Sequence, residues 1–351
     1  MKVAQLIGAM KLVVTEMADP ILPSDGLVLK VKACGVCGSD LRRWKEGELR
    51  GAKAIIPGHE VAGEVIAVGE RVQHDYKVGE RLALAPDVHC GKCYYCQRGF
   101  FNLCDDLRLV GISPEYAGGF AEKMVLPNDV LVNGIVHRVP DGMRDEAAAL
   151  AEPCSSVIAT HLKCATNASH TVLILGGGPI GCIHISVAKA HGAKVILSEP
   201  LQVRRERAST FEPDLLIDPQ NEDVSKVVKE FTHGLGVDIA ICANPVAATQ
   251  TLAVEVVRKG GRVILFGGLP KSAPIISLDA NCIHYGEISV IGSFSYHPSI
   301  HELALQMIQR GLIPAQKLIT NVFPLEKIEE AFQAAASGDA LKVIVEMNKD
   351  L

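Results

Sequence analysis

The chain has 351 residues, 48% of them hydrophobic and 21% charged, and a net charge of −5. That length allows two domains, and the composition is that of an ordinary globular protein. The acidic balance argues against nucleic acid or an anionic membrane surface as partner, and no apolar run reaches the ~18 residues that span a bilayer.

Residues 1–17 alternate like a strand and lack the basic start and apolar core of a secretion signal, so the expected location is the cytoplasm. Short β-like runs broken by glycine follow at 27–33, 63–68, 81–85 and 121–126, and 61–72 reads as a strand pair. Their Pro and Gly spacing suggests a partly closed β-barrel rather than a helical bundle. Residues 147–164 are alanine-rich and read as a helix leading into something new. Strands at 171–175, 194–198, 237–242 and 262–266 then alternate with helices at 180–190, 224–231 and 247–258. Near-continuous apolar strands in that alternation specify an α/β region with a parallel sheet covered on both faces. A strand at 288–292, helices at 300–310 and 325–336 and a strand at 342–346 complete the chain.

Eleven cysteines in a cytosolic chain point to metal rather than disulfides. Cys90, Cys93, Cys96 and Cys104 give the spacing C-x2-C-x2-C-x7-C. A structural zinc takes four thiolates at about 2.3 Å, and two-residue gaps with Gly91 let the chain curl round one ion. A DNA-reading zinc ribbon would need two C-x2-C pairs ~15–20 residues apart, which this is not. Cys164, Cys182, Cys242 and Cys282 lie in apolar surroundings and read as small buried hydrophobes.

A second group of candidate zinc ligands is spread through the chain: Cys37 in Cys37-Gly38-Ser39-Asp40, His59 and Glu60 in Gly58-His59-Glu60, and Glu152 before Pro153. Only the fold can unite them. A catalytic zinc keeps about three protein ligands and leaves a place open.

The strand at 171–175 runs into Gly176-Gly177-Gly178-Pro179-Ile180-Gly181, which fits G-x-G-x-x-G in the strand-to-helix setting that makes it diagnostic. Gly176 allows the tight turn, Gly178 lets the backbone approach a pyrophosphate, and Gly181 lets helix and strand pack closely. Pro179 and Ile180 open the helix whose free N–H groups would face the phosphates. Glu199 ends the next strand, where a carboxylate accepts from the adenine ribose and repels a 2′-phosphate, so NAD is favoured over NADP. Arg204 and Arg205, close behind, would soften that preference. The helix after Glu199 has no glycine to end it and is expected to stop at Pro213.

These motifs, in this order, resemble the zinc-containing medium-chain dehydrogenase/reductase family, in its sorbitol- and polyol-dehydrogenase-like branch. The likeness runs from Cys37 through the pattern of Gly58, His59, Glu60, Gly63, Gly69 and Val72, the four cysteines, Gly118-Gly119-Phe120-Ala121-Glu122, Glu152-Pro153 and the glycines to Ala340-Leu341-Lys342-Val343. It implies a GroES-like catalytic domain at 1–155 and 297–351 and a Rossmann dinucleotide-binding domain at 156–296. It further implies two zinc ions per chain, with Cys37, His59 and Glu152 on the catalytic one and Glu60 either a ligand or a neighbouring carboxylate. Asp40 would orient the histidine. Ser39 would accept the substrate proton. The histidine that continues this relay in relatives is Arg42 here, and arginine cannot shuttle protons near pH 7. The arginine of the relatives' substrate-binding arginine–tyrosine pair is Ser295 beside Tyr296, which argues against plain sorbitol. Trp44 and Phe120 are candidates for the pocket wall or the core.

The expected activity is oxidation of a secondary alcohol, a polyol or sugar alcohol, with NAD. A polyol-phosphate dehydrogenase, an L-threonine 3-dehydrogenase-like enzyme and a catalytically silent cofactor-binding relative are the alternatives. A homodimer or homotetramer is expected, joined through the strand at 288–292.

Overall fold

The strand Leu27–Gly35 organises the first of two compact units. It is buried along its length except at Lys30 and Lys32, so it needs neighbours on both edges and cover on both faces. Glu60–Val68 pairs antiparallel along one edge, and Lys123–Leu126 and Lys342–Glu346 share the other. Ile319–Pro324 extends the sheet beyond Lys342–Glu346, and Arg81–Ala85 and Ile135–Arg138 extend it beyond Glu60–Val68. The computed structural model describes residues 1–49 and 51–347. By packing, Met1–Ser155, Tyr296–Gly311 and Ile319–Leu351 form one unit, and Ser156–Ser295 with Leu312–Leu318 the other. Leu312–Leu318 therefore sits with the second unit, where Lys317 Nζ donates to Thr210 O at 2.7 Å.

Two local expectations need correction. Residues 61–72 form one strand, Glu60–Val68, rather than a pair. Gly69 is there because a Cβ would stand 2.3 Å from Pro23 O, and its N–H donates to Gly26 O. The helix expected at 147–164 is two, Asp145–Ala149 and Ala151–Lys163. Pro153, lacking an N–H, fits only the first turn of a helix, so a new one must start just before it.

The second unit is a six-stranded parallel sheet in the order Leu215–Ile217, Lys194–Ser198, Thr171–Leu175, Val237–Cys242, Val257–Leu265, Ser289–Gly292. In chain order that is 3-2-1-4-5-6, the doubly wound arrangement, whose switch point lies between Thr171–Leu175 and Val237–Cys242. Leu173, Ile174, Ile196, Ile239 and Ile241 are fully buried, as strands covered on both faces require. The helix Gln202–Ser209 ends without glycine: Glu212, at φ 58°, turns the chain into Pro213.

Candidate active site

Cys37 is the N-cap of the helix Gly38–Glu46, and its N–H donates to Asp40 Oδ2 at 3.1 Å. Asp40 is thereby fixed within the first turn, and its other oxygen lies 3.4 Å from His59 Nδ1. With Nδ1 turned to Asp40, His59 Nε2 faces the other way, 3.4 Å from Ser39 Oγ. Candidate ligand atoms of Cys37, His59 and Glu60 all lie within 4.8 Å of one another. Burial opposes a charge on His59, but Asp40 and the Cys37 side chain beside it hold its pKa well above 6.5. The pocket favours a cation at that spot, and a metal ion would take the proton's place.

Glu152 opens the helix Ala151–Lys163, and burial pushes its carboxyl up to about 7, with His59 pulling it down and Glu60 pushing it further up. It stands near the cluster without joining its tight set. Glu60 is fully buried, with Oε1 2.5 Å from Lys342 Nζ and Oε2 without a hydrogen-bond partner among the described residues. Lys342 Nζ also donates to Val36 O at 3.1 Å. Gly35 makes room, since a Cβ there would fall 1.9 Å from Glu60 Oε2. Lys342 was missed as a site residue by the motifs. Its signal was a lysine opening the apolar strand Lys342–Glu346, whose pairing sets Ile344 opposite Gly35.

The donor set of one thiolate, one imidazole and carboxylates, with an imidazole already oriented, fits a zinc ion with an open position. The four-cysteine lobe fits a closed one. Sulfurs at about 2.3 Å from one ion stand about 3.8 Å apart in a tetrahedron. Here Cys93–Cys96, Cys93–Cys104 and Cys90–Cys96 are separated by 3.5, 3.9 and 4.0 Å. N–H groups of Cys96 and Asp105 pull Cys93 down to about 6, giving the thiolate that zinc needs.

In the second unit, Gly178 is the N-cap of the helix Pro179–Ala190, with no side chain capping the helix end. A Cβ at Gly178 would meet open space, whereas one at Gly181 would fall 1.9 Å from Gly176 O. The glycines thus leave N–H groups open at the helix end and hold turn and helix together, a fit to a pyrophosphate. Glu199 is locked at its strand end, accepting from Gly177 N at 2.6 Å and Leu201 N at 2.9 Å. Arg205 is taken up by Asp218 at 2.8 Å and by Glu199 O.

The expected pocket residues divide. Tyr296 is buried, with burial and the neighbouring carboxylates of Glu152 and Asp87 holding its hydroxyl well above 10. Ser295, at φ 48°, turns the chain between exposed Phe294 and Tyr296. Arg42 is exposed on its helix. Phe120 is a correction: it is fully buried, edge-on to Phe332 at 5.6 Å, and belongs to the core. Trp44 packs on the same Phe332 at 5.8 Å.

Two family models match the chain. Residues 23–141 match the alcohol dehydrogenase GroES-like domain and residues 179–310 the zinc-binding dehydrogenase domain. The chain is 33% identical to a sorbitol dehydrogenase of Halalkalibacterium halodurans, covering 95% of this chain and 94% of that one. It is 30% identical to a D-arabitol-phosphate dehydrogenase of Enterococcus avium, covering 95% and 94%. A Sinorhizobium meliloti structure bound to NADP superposes with a TM-score of 0.90 at 30% identity, covering 98% of each chain. The chain therefore belongs to the zinc-containing medium-chain dehydrogenase/reductase family, and it is an oxidoreductase.

Proposed function

We propose that this chain oxidises a secondary alcohol group of a polyol or sugar alcohol, using NAD and two zinc ions. The observation that carries this reading is the cluster of Cys37, His59 and Glu60, with Asp40 behind the imidazole and Glu152 nearby. Cys37, His59 and Glu152 would hold the catalytic ion and Cys90, Cys93, Cys96 and Cys104 the structural one. Zinc would supply Lewis-acid stabilisation of the alcohol oxygen, and NAD the ring that accepts hydride. Ser39 Oγ, beside His59 Nε2, takes the hydroxyl proton. Ser39 gives up its own proton as it does so, and because Arg42 cannot carry that proton onward it passes to water. Asp40 keeps His59 in one orientation throughout, and Tyr296 borders the carboxylate end of the site.

The locked carboxylate of Glu199 supports NAD, because it sets a negative charge where a 2′-phosphate would lie. A phosphorylated polyol is the second reading, favoured by the arabitol-phosphate relative and by the exposed guanidinium of Arg42 in place of a histidine. We also infer a cytoplasmic homodimer or homotetramer. Ser289–Gly292 is an edge strand open to pairing, and among the described residues no helix is long and apolar enough to cross a membrane. Light scattering would give the assembly.

Elemental analysis should find two zinc ions per chain, separating a live site from a silent relative. A dehydrogenation screen over polyols, their phosphates and amino alcohols, with NAD and NADP, tests the rest. Reduction of neither cofactor by any of them would sink the proposal.

A further inference from the structure

Three polar side chains of the second unit form a line that the chemistry above does not use. Thr166 Oγ1 lies 3.0 Å from His161 Nδ1, and His161 Nε2 lies 3.1 Å from His184 Nδ1. The line stops at His184 Nε2, a buried nitrogen with no hydrogen-bond partner among the described residues. Both histidines are fully buried. His184 stands in the helix Pro179–Ala190, one turn beyond Ile180 of the glycine cradle. Its ring adjoins that of Phe266, with centroids 4.8 Å apart and planes at 83°.

Protons can be arranged along this line in two ways. If His161 donates to Thr166, then His184 Nδ1 donates to His161, and His184 Nε2 is left with a buried lone pair and no donor among the described residues. If Thr166 donates to His161, then His161 Nε2 donates to His184 Nδ1 and the remaining proton sits on His184 Nε2. An aromatic face attracts that proton. Only the second arrangement offers the adjoining Phe266 ring a proton. It needs neutral imidazoles, and burial supplies them, pulling His161 down to about 3 and His184 well below 6.5.

Phe266 directly follows the strand Val257–Leu265, whose Leu265 pairs with Cys242 on one side and Gly292 on the other. It thus stands at the carboxyl end of the sheet's second half. In doubly wound sheets the dinucleotide lies across these carboxyl ends, one mononucleotide to each half. The glycine cradle and Glu199 belong to the first half, which leaves the nicotinamide for the second. Phe266 is only partly buried. The backbone behind it is fixed, since a Cβ on Gly267 would fall 2.3 Å from Asn244 O.

We propose that His184 is a positioning residue for the nicotinamide: its Nε2–H, set by Thr166 and His161, holds the Phe266 ring as a wall of that subsite. This rests on the cofactor reading given above. Two substitutions separate the roles of the imidazole. His184→Gln can place an amide N–H near the Nε2 position, whereas the shorter amide of His184→Asn reaches only the Nδ1 position. Each is titrated with NADH and with ADP-ribose, which lacks the nicotinamide, or with NADPH and 2′-phospho-ADP-ribose if the wild type reduces NADP.

For His184→Asn the reduced cofactor should bind about three- to fivefold more weakly, the size of a weak N–H···π contact. ADP-ribose should bind as in the wild type, which also shows the unit to be folded. His184→Gln should bind both ligands normally. Phe266→Leu should weaken the reduced cofactor by itself, and His184→Asn should add nothing to it. The proposal is overturned if His184→Asn changes neither ligand or both alike, or if His184→Gln behaves as His184→Asn does. Failure of the wild type to bind ADP-ribose would instead overturn the cofactor reading, and this inference with it.

Discussion

Lys342 and Glu60 are a charge pair closed off from water, with side-chain exposures of 7% and 0%. Removing one member of such a pair leaves the other buried and uncompensated, at a cost of about 3–5 kcal/mol. Lys342→Met should therefore lower the stability of the first unit by about 3 kcal/mol in urea. Adding Glu60→Gln to that variant should restore part of it, because the orphaned charge is gone. A Lys342→Met protein as stable as the wild type would show that the pair contributes nothing. The zinc-loaded protein offers a second reading of the same change. Freed from the ammonium, Glu60 has the candidate metal site within reach. The catalytic zinc should then leave to a chelator more slowly in Lys342→Met than in the wild type, and an unchanged off-rate would deny the lysine any hold on that carboxylate.

At the scale of elements, the cradle depends on how closely the helix Pro179–Ala190 approaches the turn before it. A methyl at Gly181 would overlap Gly176 O, with 1.9 Å between them, and backbone cannot step aside as a side chain can. Gly181→Ala should raise the NADH dissociation constant at least about tenfold, the expected result of misplacing a phosphate cradle. Zinc content should stay at two per chain, because the cysteines and Cys37 belong to the other unit. Loss of zinc along with NADH would mean general unfolding instead. These glycines were legible in the sequence for the reason that makes them sensitive: motif, strand and helix are contiguous. The same holds for the apolar strands Thr171–Leu175, Lys194–Ser198 and Val237–Cys242, and for the cysteine lobe, whose members lie within fifteen positions. What escaped was set by distant pairing. Lys342 meets Glu60 only because the strands that carry them flank Leu27–Gly35 on opposite edges. Phe120 is open between pocket wall and core in the sequence, and what decides it is Gly119, which packs against Val61 and Cys34 and carries the chain into the core.

Over the whole molecule, buried histidines tie stability to pH. His161 and His184 in the second unit, and His301 in the first, are fully buried. Burial, with His191 beside one and His137 beside the other, holds His161 and His301 down to about 3, and His184 also lies well below 6.5. Unfolding returns each to its ordinary value of 6.5. Above that pH neither state is protonated and the histidines leave stability unchanged. Below it the unfolded chain binds protons that the native one refuses, so stability falls with pH down to about 3, by about 1.4 kcal/mol per pH unit for each such site. The contribution of these three histidines to urea midpoints should accordingly be level from pH 8 to 7 and decline from about 6.5 downward. Zinc thiolates protonate in the same range, so the decline alone does not identify its source. His301→Asn removes one site and leaves every cysteine in place. Its stability should fall less steeply than that of the wild type between pH 6 and 5, by about 1.4 kcal/mol per pH unit. His301 Nδ1 lies 3.1 Å from His137 Nδ1, and the amide can keep that contact whichever ring carries the proton. Parallel slopes for the two proteins would show that His301 takes up its proton in the folded chain after all.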